Sequence, residues 1–219
     1  MQIRFWRDRR PWRPVSMHQS APNPCLERHW GGLRLEHGST VFVPMCGKSD
    51  DLRWLLGRGH QGLGIELADL AIEAYFEEAG EPYEREDSDR LVRYRGPRTD
   101  ILCGDFFALT AAELSAARAV LDRGALIALP PKMRARYVDH LLRVIPDRTD
   151  ILLVTLEYDQ NLVAGPPFSV LPEEVVSHFG PRCSIVPLES SRTDFLPPKF
   201  AAQGVDCAAE TAYHIVKQE

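Results

Sequence analysis

Residues 41–67, VFVPMCGKSDDLRWLLGRGHQGLGIEL, constrain this chain more than any other stretch. Val41, Phe42 and Val43 give a short buried-strand pattern that Pro44 to Lys48 break. Ser49 or Asp50 can cap a helix over Asp51–Arg58, with Leu52, Leu55 and Leu56 on its apolar side, and Gly57 and Gly59 end it. Gly62–Leu67 then restarts an apolar strand that finishes on an acid, Glu66. This is a βαβ unit, the signature of an open parallel sheet. In such a sheet, peptide N–H groups and the helix N-terminus at the first strand's carboxyl end face an adenosine ligand. A carboxylate after the second strand takes two ribose hydroxyls. Gly47 and Glu66 have the spacing, about 20 positions, that this division of labour requires.

Two neighbouring motifs fail on residue grounds. Gly47-Lys48-Ser49 resembles the end of a phosphate-binding P-loop, but Phe42 stands where that loop needs its first glycine. The GxGxxG of a nicotinamide site is absent as well. An ordinary βα turn with a surface glutamate remains the plain alternative, because such turns are common in α/β folds.

The stretch PMCGKSDDLRWLLGRGHQGLGIEL resembles the first motif of the thiopurine S-methyltransferase family, whose usual form has PLCGKS, a tryptophan in the helix, a GH turn and a strand ending G-E. The resemblance continues through CGDFFALT at 103–110, LDRGALIALPPKMRARY at 121–137 and LEYDQNLVAGPPFSV at 156–170, and so covers nearly the whole chain. It implies a class I, Rossmann-like α/β methyltransferase fold, with a mostly parallel seven-stranded sheet and helices on both faces. It also implies S-adenosyl-L-methionine as cofactor and one domain over 1–219, with residues 1–30 as an N-terminal lid segment.

The residues outside that unit fit a single soluble domain. A length of 219 residues, 44% hydrophobic and 26% charged, supports one sizeable core. The net charge of −5 argues against a general nucleic-acid binder, and no apolar run approaches the ~20 residues that span a membrane. The start, MQIRFWRDRRPW, lacks the apolar segment of a secretory signal. Five cysteines (25, 46, 103, 183, 207) without a CxxC pair fit free thiols in a reducing cytoplasm and give no zinc-ligand spacing. With no exposed heptad or apolar stripe, a monomer is expected.

Residues 1–16 hold five arginines and two tryptophans and read either as a basic tail or, by resemblance, as the lid. Phe5, Trp6, His18 and Gln19 match the family pattern. Arg10 stands at the second tryptophan's place, and Ser16-Met17 at the place of a Gly-Phe pair. Met17 offers a second start, in which case 1–16 are incidental.

Asn23–Trp30 reads as a short helix, Ala68–Gly80 as a longer one and Tyr83–Tyr94 as a charged loop-to-edge strand. His60 is a structural turn residue. Asp100–Cys103 is a strand opening on Gly104-Asp105-Phe106. There the acid can accept adenine's amine and the ring can cover a π face, or Asp105 can cap a helix with Phe106 in the core. Ala119–Leu129 reads as a strand interrupted by Asp122-Arg123. Burying that pair unpartnered is costly, so it belongs at the carboxyl end facing the cleft, or else forms a surface ion pair. Lys132–Val144 is an amphipathic helix with Met133, Tyr137, Leu141 and Val144 on one face and Lys132, Arg134, Arg136 and Arg143 mostly solvated. Ile151–Leu156 is a strand, Gly165–Phe168 a rigid turn walling the acceptor pocket, Leu171–Phe179 a helix, and Cys183–Glu189 and Ala212–Val216 the antiparallel end of the sheet.

The resemblance assigns Trp6, Met45, Gly47, Glu66, Asp105, Phe106 and Arg123 to the cofactor. Met17, Arg123 and Lys199, the last in a loop, go to the acceptor, and Arg123 alone has a catalytic role. The reaction implied is S-methylation of a thiopurine or related heteroaromatic thiol. The alternatives are a selenium or tellurium species as acceptor, another small thiol or a halide on the same fold, or a protein that binds S-adenosyl-L-methionine without turnover.

Overall fold

The computed structural model describes residues 21–194 and 196–219. Helix α1 (Pro24–His29) follows the N-cap Asn23, and a 3-10 turn over Trp30–Leu33 leads to β1 (Thr40–Pro44). Then come α2 (Asp50–Gly57), β2 (Gln61–Glu66) and α3 (Asp69–Ala79), the last closed by Gly80 at φ +63°. This is the βαβ unit of residues 41–67, with β1 and β2 parallel and Val43 opposite Gly64. Strands β3 (Glu84–Glu86), β4 (Val92–Arg95) and β5 (Thr99–Cys103) precede the short helix α4 (Ala111–Leu114) and β6 (Ala117–Asp122). The remaining elements are α5 (Ala125–Ala128), α6 (Pro131–Val144), β7 (Asp150–Glu157), α7 (Pro172–Phe179), β8 (Cys183–Thr193), α8 (Pro198–Ala201) and β9 (Ala208–Lys217).

The sheet runs β3-β4-β5-β2-β1-β6-β7-β9-β8. Its centre, β5-β2-β1-β6-β7, is parallel throughout, and β9 and β8 add the antiparallel end. Among the described residues it has nine strands, not seven. The extra pair is the hairpin β3–β4, which lies antiparallel beyond β5. The charged 83–94 stretch, expected to be a loop leading to an edge strand, holds β3 and most of β4: Arg95 pairs with Glu86 at 3.0 Å and Arg93 with Asp100 at 2.8 Å, while Tyr94 alternates inward and is buried. Such cross-strand ion pairs sustain a strand with little apolar content.

Alternation along the central strands builds a core on each face. Phe42, Leu63, Ile65 and Val120 face Tyr137, Val138 and Leu141 of α6 and Val175 and Phe179 of α7. Val41, Val43, Ile101 and Leu121 face Leu26 of α1, Leu52 and Leu55 of α2, and Ile72, Tyr75 and Phe76 of α3. Each fully buried side chain of this size contributes roughly 1.5–3 kcal/mol. Among the described residues no helix is long and apolar enough to cross a membrane.

Two expectations from the sequence are corrected. The apolar run to Leu129 does not continue as a strand: β6 stops at Asp122, and 125–128 are helical. Asp122 is fully buried and takes the Leu126 N–H at 3.0 Å, with the peptide groups of Gly124 and Ala125 also turned toward it, so its carboxylate ends the strand and starts the helix. Arg134 is not solvated but fully buried. Its Nε donates to the Leu129 carbonyl at 2.9 Å and its Nη1 to Glu174 at 2.7 Å, so it ties the start of α6 to α7. His60 is structural as expected: it is buried and accepts the Trp30 indole N–H at 3.0 Å.

Tyr137 donates its hydroxyl to Asp122 at 2.7 Å in a site closed to water. Tyr137→Phe leaves that carboxylate one donor short and should cost about 1–3 kcal/mol, read as a lower urea midpoint at unchanged slope.

Candidate active site

The parallel strands all end at one edge, and the order reverses between β1 and β6, the position where open α/β sheets bind ligands. The loop leaving β1 is shaped by two left-handed residues, Met45 at φ +50° and Gly47 at φ +54°. The Cys46 N–H bonds the Ile65 carbonyl at 3.0 Å, and the Ser49 N–H returns to the Cys46 carbonyl at 3.2 Å. Ser49 then caps α2, accepting the Asp51 N–H at 3.2 Å. The Cys46 thiol lies under β2 so closely that a Cβ at Gly64 would come within 2.7 Å of its sulfur. Burial and the nearby Glu66 hold that thiol well above its ordinary pKa, so it is packing rather than a nucleophile.

Glu66, half-buried at the end of β2, joins the two positions that the spacing singled out. Its carboxylate accepts the Gly47 N–H at 2.9 Å, the Leu67 N–H at 2.8 Å and the Ala68 N–H at 2.9 Å. Burial raises its pKa above the usual carboxylate range and the three peptide donors oppose that rise. The surface-glutamate alternative does not describe it.

On the far side of β2, Asp105 follows β5 and caps the 3-10 turn Phe106–Ala108 by accepting the Phe107 N–H at 3.0 Å. Its other oxygen takes no hydrogen bond among the described residues. The Phe106 ring is buried against Tyr137, 4.8 Å between centroids, and His140, 5.3 Å. The ring belongs to the core.

Arg123 follows β6. It does not pair with Asp122, which has its own partners, but with Asp51 of α2: Nε lies 2.6 Å and Nη2 2.5 Å from the same oxygen. Asp51 is 2% exposed, so this is not a surface ion pair. Sequence reasoning missed Asp51, which reads locally as one more acid in a helical first turn; nothing in its neighbourhood announces a partner 72 positions away.

Beyond β7, the Tyr158 hydroxyl donates to the Pro167 carbonyl at 2.7 Å, and the Phe168 N–H bonds the Ile127 carbonyl at 2.6 Å. The 165–168 turn is thereby fixed beside α5. Lys199 lies in α8 rather than in a loop, because Pro198 starts a helical turn there, and its ammonium donates to the Pro166 carbonyl. The structure therefore brings Met45, Gly47, Glu66, Asp105, Phe106 and Arg123 to the carboxyl edge of the sheet. Trp6 and Met17 lie outside the described residues, as does most of the 1–30 lid segment. Among the described residues no cluster of histidine, cysteine or carboxylate is arranged to hold a metal ion.

A family model described as thiopurine S-methyltransferase (TPMT) matches residues 1–218. The chain belongs to the thiopurine S-methyltransferase family. It is 43% identical over 216 residues to the thiopurine S-methyltransferase of Pseudomonas fluorescens (strain Pf0-1), covering 98% of this chain and 99% of that one. With its counterpart from Azotobacter vinelandii it shares 42% over 215 residues, 98% of each chain. Among solved structures, a SAM-dependent methyltransferase from Geobacter sulfurreducens in complex with S-adenosyl-L-homocysteine superposes with a TM-score of 0.64 at 17% identity. That match covers 94% of this chain and 95% of the other. A SAM-dependent methyltransferase from Thiobacillus denitrificans gives 0.63 at 15%, covering 94% and 95%. At that identity the likeness establishes the fold. This member of the thiopurine S-methyltransferase family is a methyltransferase, and its cofactor is S-adenosyl-L-methionine.

The residues present fit that cofactor. A half-buried carboxylate on three peptide donors, a neighbouring turn with open space beside Gly47 and an acid after β5 with an oxygen to offer form the set of acceptors that a nucleoside's hydroxyls and amine need. A Cβ at Gly47 would touch nothing within 4 Å, so only its left-handed backbone resists a side chain. Gly47→Ala should cost about 1–2 kcal/mol of stability from that conformation. Gly57→Ala, at the end of α2 where nothing lies within 4 Å either, should cost none. Urea unfolding of the pair separates backbone strain from steric exclusion.

Proposed function

We propose that the protein transfers a methyl group from S-adenosyl-L-methionine to the thiolate of a thiopurine or related heteroaromatic thiol. The observation that carries this reading is the placement of Glu66, locked to the Gly47 turn, on one side of β1 and of Arg123 on the other. One arm presents a nucleoside acceptor and the other a guanidinium, across the point where the sheet reverses. The family name supplies the acceptor class.

Glu66 would hold the ribose, taking hydroxyl donation on the acceptor capacity that its three peptide donors leave. Asp105 would accept adenine's exocyclic amine on its second oxygen. Met45 and Gly47 border the methionyl part. When bound, the cofactor would supply an electrophilic methyl carbon on a sulfonium sulfur, with a neutral thioether as the leaving group for attack by the acceptor sulfur. Heteroaromatic thiols ionise near neutral pH, so the protein needs no strong base. Its contribution is alignment and exclusion of water. Arg123 holds the anionic acceptor by its N–H donors. Lys199, through the Pro166 carbonyl, helps fix the turn that walls the pocket. By the family resemblance Trp6 would serve the cofactor and Met17 the acceptor.

A thermal shift with S-adenosyl-L-homocysteine, beside NADH and ATP, tests the cofactor. At about 100 times the dissociation constant the ligand should stabilise by about 2.7 kcal/mol, and the other two by nothing. Since ribose hydroxyls donate to the ionised carboxylate, and Glu66 protonates at a higher pH than an ordinary glutamate, affinity should fall on acidification through that raised pKa. Glu66→Gln should bind weakly with a flat pH profile. Arg123→Ala should retain S-adenosyl-L-homocysteine binding but turn over a thiopurine at least about tenfold more slowly, a loss of about 1.4 kcal/mol of transition-state stabilisation.

A further inference from the structure

A carboxylate in the first turn of a helix ordinarily reaches solvent, where it favours the positive end of the helix dipole. Asp51 does not. It is 2% exposed and its two oxygens are divided between distant parts of the chain. One oxygen takes both Nε and Nη2 of Arg123, at 2.6 Å and 2.5 Å, and the other takes the Asn23 peptide N–H at 2.8 Å. Asn23 is itself 1% exposed: its side-chain oxygen caps α1 through the Cys25 N–H at 2.8 Å, and its amide donates to Glu210 at 3.1 Å. Three parts of the site thus meet on one carboxylate: the turn that continues from Gly47 into α2, the end of β6, and the root of the N-terminal segment.

We infer that Asp51 is the positioning residue for Arg123, fixing which edge of the guanidinium faces the acceptor and tying that edge to the root of the N-terminal segment. The inference rests on the acceptor-holding role proposed for Arg123. Two donors of one guanidinium on a single oxygen fix its Nε–Nη2 edge toward α2 and so set the orientation of the whole plane. The same contact offsets the positive charge, so Arg123 acts on an anionic acceptor through directed N–H donors rather than as an isolated cation. Lengthening the acid by one carbon, Asp51→Glu, keeps the charge and the ion pair but displaces the guanidinium by the order of an ångström. A displacement of that size in a positioned group costs up to about a hundredfold in rate.

The test is steady-state kinetics with 6-mercaptopurine and S-adenosyl-L-methionine, with calorimetric S-adenosyl-L-homocysteine affinity, on wild type, Asp51→Glu, Arg123→Met and the double variant Asp51→Asn/Arg123→Met. The double variant removes both charges together and leaves no buried ion unpaired, so it keeps the comparison interpretable where Asp51→Asn alone fails to fold. Asp51→Glu should lower kcat by at least about tenfold with S-adenosyl-L-homocysteine affinity within about threefold of wild type. The double variant should be no slower than Arg123→Met alone, the non-additivity of two residues acting as one unit. The inference is overturned if Asp51→Glu lowers only the melting temperature and leaves kcat at the wild-type value. It is equally overturned if the double variant is slower than Arg123→Met. Wild-type turnover by Arg123→Met would instead remove the role of Arg123 on which the inference stands.

Discussion

Burial on both faces is the constraint from which the rest of this molecule follows. The central strands β2, β1 and β6 are sandwiched between two helical layers, and their interior positions hold valine, leucine, isoleucine, phenylalanine, alanine and glycine almost without exception. A polar group in such a strand would need a partner where none is available. Chemistry is therefore displaced to the strand ends. Glu66 is the last residue of β2, Asp122 the last of β6, and Asp105 and Arg123 lie one or two positions past β5 and β6.

Each of these strand-end groups is held by something outside its own strand. Peptide N–H groups orient Glu66, a tyrosine hydroxyl and a helix start orient Asp122, and a carboxylate from α2 orients Arg123. The three acids and one base therefore do not form a single network. They are separate anchor points around one edge, each held in place before any ligand arrives. A site assembled this way is preorganised, and binding need not order the groups that do the binding.

How much of this was legible in the sequence depended on range. The βαβ unit, the Gly47–Glu66 relation and the placement of Arg123 at a strand end followed from local patterns, because glycine, apolar periodicity and the cost of burying charge act over a few residues. The family resemblance extended that reading to Asp105 and Met45. The failures were of two kinds. In 119–129 an apolar run was continuous enough to read as one strand, and only the tertiary fate of Asp122 breaks it. Arg134 and Asp51 each look solvated on a helical wheel, and are buried because a carbonyl, a glutamate or an arginine far along the chain comes to meet them. Charge in sequence marks a group that needs a partner, and says little about whether that partner is water.

The hairpin β3–β4 bears on how this molecule coexists with its copies. A sheet ends in unpaired peptide groups, and a long flat outer strand invites another chain to continue the ladder. Here one margin is the three-residue strand Glu84-Arg85-Glu86, exposed throughout and charged at every position. The opposite margin, β8, contains Pro187 and loses register with β9 between Pro187 and Glu189. Neither border offers a neighbour a regular run of donors and acceptors. The added hairpin thus serves as a terminator: it closes the ladder of the described residues with a segment too short and too highly charged to be copied.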